Sequence, residues 1–465
     1  MQTRRDQLQA YRFQNRRALA ALVTGQPNVL EPPMRRLTVT TLSGIMIAIL
    51  IAIVFGVLAI IRPSAGDSWK TAGSVIVDQD NDAIYVYSDG VLHPAVNYTS
   101  AVLAVSGNTS VSRVTVSSSD IAGATYGFEI GSSKYPTSLP GAGSLLDYPI
   151  SSCSVWHPRG TRGARAHVTV RIGSTGGTKA VPSTQALFVQ DVGDGQKWLL
   201  YDGRRLEIGS EAITTSLGLN TVSPVGVGTA FIDSIPQGPV LAPPTLPGDG
   251  TPASFTLGGR PVTVGGIVTA SGSGGGSFLV TRTHLVPLTA LELALYTGTP
   301  RTNASPTAVQ PHQLNLASPD NPLAAFLSLP MTVPAVDPGA LARGGVCAVF
   351  DKSAGASGAP RFVIPSGTLT NYVNGSIGQS GQSRRGTADE VDVPPTKALL
   401  ATSAGAPGPD VVVSEQGVRY SFADRKLIGA FGYEQSDAVH VPPALLDMIP
   451  GQKLGLSKAA ALQRA

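Results

Sequence analysis

The chain has little of what enzymes use. Its 465 residues hold two cysteines and six histidines, and no Gly-Lys dipeptide. A Walker-type phosphate loop needs that lysine, which must reach the phosphates that the glycine-rich backbone cradles. The glycine-rich stretch SGSGGGS at 271–277 fits neither that loop nor the dinucleotide-binding spacing, and reads as a hairpin loop. There is no Cys-x-x-Cys and no His-x-x-His, so the common zinc spacings are missing. Gly-x-Ser-x-Gly and Ser-x-x-Lys are absent too, and with them the usual serine nucleophiles. The expectation is no catalytic, cofactor-binding or metal-binding residue.

One acidic constellation bears on that expectation. Asp78, Asp80, Asp82 and Asp89 take the order of a calcium loop. Yet Ala83 stands where its sharp turn needs glycine, and Ile84 to Tyr87 read as strand. Asp191, Asp194 and Asp202 recur in a comparable place, which favours acidic hairpin loops over a cation site.

What the chain does have is one long apolar run. Leu37 to Ile61 contains no charged side chain, and as a helix rising about 1.5 Å per residue it exceeds the roughly 30 Å hydrocarbon core of a bilayer. Arg35 and Arg36 close it on one side and Arg62 on the other. A cleaved signal peptide would have a shorter core and a shorter leader. Before the run stand seven arginines against two acids, so the N-terminus is expected in the cytoplasm. No second run of that length follows. A single-pass protein of the inner (plasma) membrane with a large periplasmic domain is expected. The overall +4 is misleading: residues after the first 36 hold 27 basic and 28 acidic side chains, so no nucleic-acid surface is indicated.

Compartment then decides the cysteines. Cys153 and Cys347 both lie outside the cytoplasm, where thiols oxidise, and a disulfide is favoured over two free buried thiols. Residues 3 to 23 read as a basic helix. Thr3 and Asp6 have the form of a capping box, and Leu8, Tyr11, Ala18, Leu19 and Leu22 share one face. That face suits either a protein partner or anionic lipid headgroups. Gly25, Pro27, Pro32 and Pro33 end the helix.

Beyond the anchor the chain is rich in Gly, Ser, Thr, Val and Pro, and it repeats itself. Segments 85–105, 198–219, 278–296 and 411–433 each read as strand, tight turn, strand, then an apolar segment. Gly90, Gly203 and Gly417 sit at the turns, where a two-residue hairpin wants positive φ. The third copy has Thr281 to His284 instead, so its turn should differ. Pro94 and Pro287 lie 193 residues apart, Cys153 and Cys347 194, Gly203 and Gly417 214. A duplicated half follows from these offsets. The fold class expected is mainly β with some α: one N-terminal transmembrane helix, then an elongated quasi-twofold ectodomain of four small repeat domains around a central β domain. The boundaries expected are a cytoplasmic helix at 1–36, the anchor at 37–61, repeats at 62–107, 184–230, 263–299 and 396–450, central halves at 108–183 and 300–395, a linker at 231–262 and a tail at 451–465. The central halves would meet with Cys153 bonded to Cys347.

These residues resemble a family. RRALAALVTGQP at 16–27, the Pro-Pro-Met-Arg-Arg lead-in at 32–36, one anchor, four weak repeats and two ectodomain cysteines are similar to EccB, the single-pass component of type VII (ESX) secretion in mycobacteria and related actinobacteria. The resemblance implies a membrane complex with EccC, the motor ATPase, with EccD and EccE, and with a MycP-type protease. It also implies a structural, scaffolding role in protein export, with self-association through the ectodomain. Members often carry an ATPase label, so ATP hydrolysis is one alternative, with ATP its only candidate cofactor; a membrane-anchored cell-wall-binding module is the other.

Overall fold

The computed structural model describes residues 3–26, 34–61, 68–71, 73–107, 111–157, 165–175, 178–243, 245–271, 275–298, 307–310, 314, 332–336, 345–352, 358–365, 386–405 and 408–465. The chain is mainly β with some helix. It divides into two compact units, one of Met1–Thr71, Asp78–Asp82 and Val114–Ala124, the other of Ala72–Val77, Ala83–Arg113 and Thr125–Ala465.

The first unit holds two long helices. In Arg4–Thr24, the Asp6 carboxylate accepts from both the Thr3 N–H (3.2 Å) and the Thr3 hydroxyl (2.5 Å), fixing the start. Gly25, at φ 70°, ends it by donating to the Ala21 carbonyl at 3.0 Å, a left-handed cap that glycine adopts without steric cost. Helix Met34–Ile61 includes Thr38–Val57, a wholly unburied span. Among the described residues it is the one helix long and apolar enough to cross a membrane.

Four small sheets share one plan. Three strands form a meander, a short helix follows, and a fourth strand returns beside the first, giving the order third, second, first, fourth. In the first repeat the strands are Ser74–Asp78, Ile84–Ser88, Val91–Pro94 and Ser112–Val116, with helix Tyr98–Val105. The second has Gln185–Asp191, Lys197–Tyr201, Arg204–Glu207 and Val225–Val227, with helix Glu211–Ser216. The third has Ile267–Ala270, Ser277–Val280, Leu285–Leu288 and Thr307–Val309, with helix Ala290–Thr297. The fourth has Leu399–Ser403, Val411–Val413, Arg419–Ser421 and Val439–Val441, and a 3-10 helix at Arg425–Phe431. In the last three the returning strand is parallel to the first, as a crossover connection permits.

A six-stranded central sheet runs in the order Glu390–Asp392, Arg165–Ile172, Ile150–His157, Gly345–Phe350, Arg361–Pro365, Thr178–Ala180. Three larger cores bind the repeats together. Leu187, Val189, Trp198 and Phe231 of repeat 2 and Leu399, Val411 and Leu445 of repeat 4 share one core with Val170, Val346 and Ile364 of the central sheet. Val75, Val86 and Leu103 of repeat 1 join Leu400, Val412 and Phe422 of repeat 4. Phe188 and Leu206 of repeat 2 join Leu279, Val286 and Leu295 of repeat 3. Repeats 2 and 4 are therefore inner and repeats 1 and 3 outer.

Several sequence boundaries differ from the elements observed. The returning strands Ser112–Val116 and Thr307–Val309 lie within stretches assigned to the central halves, because each pairs far from the hairpin that announces its repeat. The 231–262 stretch carries a hairpin, Pro252–Leu257 with Arg260–Thr263, turned by Gly258 and Gly259 at φ 57° and 75°. The 451–465 stretch is no tail: Ser457 caps helix Lys458–Ala461, and Leu456, Ala460 and Ala461 are buried in the core of repeats 1 and 4.

Candidate functional site

The centre of the ectodomain is the seam between its halves. Strand Ile150–His157 pairs antiparallel with Gly345–Phe350, and the register sets Cys153 directly opposite Cys347. Their sulfurs are bonded at 2.08 Å, buried beside Val349 and Val363. The neighbouring serines are buried as well and serve as anchor points: Ser154 Oγ accepts the Gly228 N–H of repeat 2 at 3.1 Å, and Ser151 Oγ donates to the Ser174 carbonyl at 3.0 Å. Each hairpin of the sheet also receives a strand from the other half. Thr178–Ala180 pairs with Arg361–Pro365, and Glu390–Asp392 pairs with Arg165–Ile172. The exchanged strand 390–392 is fastened by side chains: His167 Nε2 lies 3.2 Å from Glu390, Arg171 3.6 Å from Asp392, and Asp389 accepts the Val168 N–H at 2.8 Å.

The repeat glycines divide by location. Gly90 follows Asp89 in a two-residue turn, and Gly203 follows Asp202 in another; all four residues have positive φ, from 45° to 81°. That is the turn whose twist suits a hairpin. A Cβ on Gly90 would meet open space, whereas one on Gly203 would lie 2.8 Å from the Pro360 carbonyl oxygen. Gly417, at φ 71°, sits in a longer turn in which the Ser414 N–H donates to the Val418 carbonyl; its Cβ would lie 2.6 Å from the Val391 oxygen. The third turn does differ: the Thr281 N–H donates to the His284 carbonyl at 3.0 Å.

The 214-residue offset extends well beyond the glycines. Arg205 pairs with Asp233 at 2.7 Å and Arg419 with Asp447 at 3.0 Å. The Arg205 N–H donates to Pro236 and the Gly238 N–H returns to Arg205; the Arg419 N–H donates to Pro450 and the Gln452 N–H returns to Arg419. Repeat 1 repeats the motif with Leu92, Thr125 and Gly127. These bridging segments lie outside any regular strand, so alternation of apolar residues gave no sign of them.

The acidic residues serve as turn and helix caps. Asp78 accepts from the Asp80 N–H at 3.0 Å and from the Ser118 hydroxyl at 2.6 Å, and Asp80 accepts the Ser118 N–H at 2.8 Å. Asp191 repeats this with the Gly193 N–H at 2.8 Å and the Thr229 hydroxyl at 2.9 Å. Burial raises the Asp191 carboxyl above the usual range, against the lowering effect of those two donors. Among the described residues no group of three or more His, Cys, Asp or Glu side chains is arranged to hold a metal ion.

A cleft of about 670 Å³ opens where the loop 142–148 meets repeat 4. Leu145, Leu146, Ala438 and Val439 line it, with Asp147 paired to Lys352 at 2.9 Å and the Tyr148 hydroxyl donating to the His440 carbonyl at 2.5 Å. Burial opposes the Asp147 charge but is outweighed by Lys352 and the Tyr148 N–H, and the carboxyl is lowered. Burial raises the Tyr148 and Tyr433 phenols; the latter donates to the Pro140 carbonyl at 2.5 Å. Of the residues expected to set membrane orientation, Arg35 and Arg36 lie in the first turn of helix Met34–Ile61, and Arg62 falls outside the described residues.

Comparison with known proteins accounts for this architecture. A relative named ESX-2 secretion system ATPase EccB2, of Mycobacterium tuberculosis (strain ATCC 25618 / H37Rv), is 30% identical over 289 residues, 59% of this chain and 54% of the relative. In that alignment the chain spans about half the relative's length. A relative named ESX-3 secretion system ATPase EccB3, of Mycolicibacterium smegmatis (strain ATCC 700084 / mc(2)155), is 26% identical over 467 residues, covering 93% of this chain and 85% of the relative. A chain in the structure of an intact ESX-5 inner membrane complex matches with TM-score 0.65 and 25% identity, over 100% of this chain and 96% of that one. The EccB3 dimer from the ESX-3 core complex matches in fold with TM-score 0.66 and 21% identity, over 84% of this chain and 100% of that one. Matched from residue 1 to residue 465 by the family described as "Type VII secretion system ESX-1, transport TM domain B", the chain belongs to the EccB family of type VII secretion.

Proposed function

We propose that this chain is a scaffolding subunit of a type VII (ESX) secretion complex in the inner membrane. Its N-terminal helix faces the cytoplasm, Met34–Ile61 crosses once, and the β-rich ectodomain stands in the periplasm as part of an assembly for protein export. The observation that carries this reading is the family match over all 465 residues, together with a seam built for rigidity. A disulfide, two exchanged strands and a core shared by both inner repeats hold the halves together. Partners of the EccC, EccD and EccE kinds and a MycP-type protease in the membrane complex are part of the reading, as is self-association through the ectodomain; the solved EccB3 relative is a dimer.

The test is gentle solubilisation of native membranes and capture through a C-terminal tag. Stoichiometric recovery of a large assembly containing a cytoplasmic motor ATPase is expected. Recovery of the chain alone, or with wall fragments only, would refute it. The relatives' names favour a second reading, ATP hydrolysis by the chain itself. Turnover by the purified chain that persists through every column would establish it.

A further inference from the structure

The helix Arg4–Thr24 presents a face that the scaffold role leaves unused. Leu8, Tyr11, Leu19 and Leu22 are 53%, 66%, 54% and 84% exposed. At 3.6 residues per turn these four fall within about 80° of arc, with Arg12, Arg5 and Arg16 following along one flank of the stripe. All three arginines are exposed. The helix has a single acid, Asp6, and that carboxylate is turned back onto Thr3. On the far side Arg17 stacks over the Phe13 ring at 5.9 Å. Arg4 falls within the arc itself and Gln7 and Gln14 on its other flank are uncharged, so the charge on and beside the stripe is positive alone.

Only nine residues separate the end of this helix from the start of Met34–Ile61. Fully extended, they span about 30 Å, so the helix cannot leave the neighbourhood of the bilayer. That tether keeps the effective concentration of the lipid surface high at all times. Long arginine stems can lie along apolar surface while their guanidinium groups reach phosphate oxygens.

We propose that Leu8, Tyr11, Leu19 and Leu22 rest in the headgroup layer of an anionic leaflet, with Arg5, Arg12 and Arg16 paired to lipid phosphates. A groove on a cytoplasmic protein is the competing occupant. The lipid surface is favoured because it lies within reach of the tether and matches the charge that borders the stripe. The inference accepts that Met34–Ile61 spans the membrane, but not which side the N-terminus occupies, since a nanodisc offers the same lipid on both faces.

The test uses the full chain in nanodiscs with an environment-sensitive fluorophore at Leu22→Cys, the sole free thiol because Cys153 and Cys347 are bonded. Emission should shift to the blue in phosphatidylglycerol-containing discs and not in phosphatidylcholine discs. The shift should vanish near 1 M salt, where the Debye length is about 3 Å. Combining Arg5→Gln, Arg12→Gln and Arg16→Gln should lower the inserted fraction roughly tenfold or more, while the three Arg→Lys changes retain it. A label that stays water-exposed in anionic discs overturns the proposal. So does shielding that arises only when a cytoplasmic protein is added, which assigns the face to that protein. Co-purification of the complex is read separately, so failure here leaves the scaffold reading standing.

Discussion

The second strands of the inner and outer repeats look alike in the chain and live in different surroundings. In repeat 2, Trp198 and Leu200 enter the central core while Leu199 points into the core shared with repeat 3. In repeat 4, Val411 and Val413 enter the central core and Val412 the one shared with repeat 1. In repeat 1, Val86 alone is buried, and Tyr85 and Tyr87 on the other face are partly open. Inner strands are covered on both faces and read as continuous apolar runs, the strand of repeat 1 alternates, and that of repeat 3 buries Leu279 toward repeat 2 and Val280 toward the 252–263 hairpin. One supersecondary unit thus serves as packing material in the inner positions and, in repeat 1, as a finishing surface.

Changes in the inner repeats should therefore cost more than their outer counterparts. The largest loss is expected for Phe231→Ala, a fully buried ring in the core that repeats 2 and 4 share with the central sheet. About 3–5 kcal/mol should be lost, seen by calorimetry of the detergent-solubilised chain. Cys153→Ser should follow, at about 2–5 kcal/mol in oxidising buffer, because the bond closes a separation of 194 residues. Excess reductant should erase most of the difference between that variant and the parent. Two free thiols in the native protein would remove the cross-link from the account.

Glycine substitution sharpens the comparison most directly. Gly90→Ala meets only the backbone cost of positive φ, about 1–2 kcal/mol. Gly203→Ala and Gly417→Ala add a collision with the Pro360 and Val391 carbonyl oxygens, and each should cost about 1–3 kcal/mol more. Equal losses at all three sites would mean that docking of the inner hairpin tips is unimportant. The smallest effects concern pH. The Asp191 carboxyl is raised, so it stabilises the fold below its unfolded value near 3.8 and loses that contribution as pH rises through its folded value. Asp147 is lowered, so its contribution is present above 3.8 and lost as pH falls through the folded value. Asp191→Asn and Asp147→Asn should consequently tilt the acid limb of Tm against pH in opposite directions.

Much of this architecture was legible because it is local. The apolar run, the capping box at Thr3 and the Asp-Gly turns all sit within short windows, and the long offsets were read by comparing such local landmarks. The acidic spacing at Asp78 to Asp89 was read against the strand that follows it, and Asp78 there accepts the Asp80 N–H of the turn. What escaped was non-local. The returning strands 112–116 and 307–309 pair with partners some 35–40 residues upstream, and bridges such as Arg205 with Gln237 carry no apolar alternation. Nothing in the sequence singles out Ser151 and Ser154. Their use as buried hydrogen-bonding posts becomes visible only once the neighbouring repeat is in place.

The packing of residues 454–465 sets an order of events during biogenesis. Leu456, Ala460 and Ala461 complete the core of the first repeat, the Tyr135 hydroxyl donates to the Gly455 carbonyl at 2.8 Å, and Lys458 reaches the Ser106 carbonyl at 2.8 Å. Repeat 1 therefore waits for residues made long after its own strands. Its apolar surface stays open until those residues, more than 300 positions further along the chain, have been made. Any chaperone devoted to this ectodomain has its longest task there.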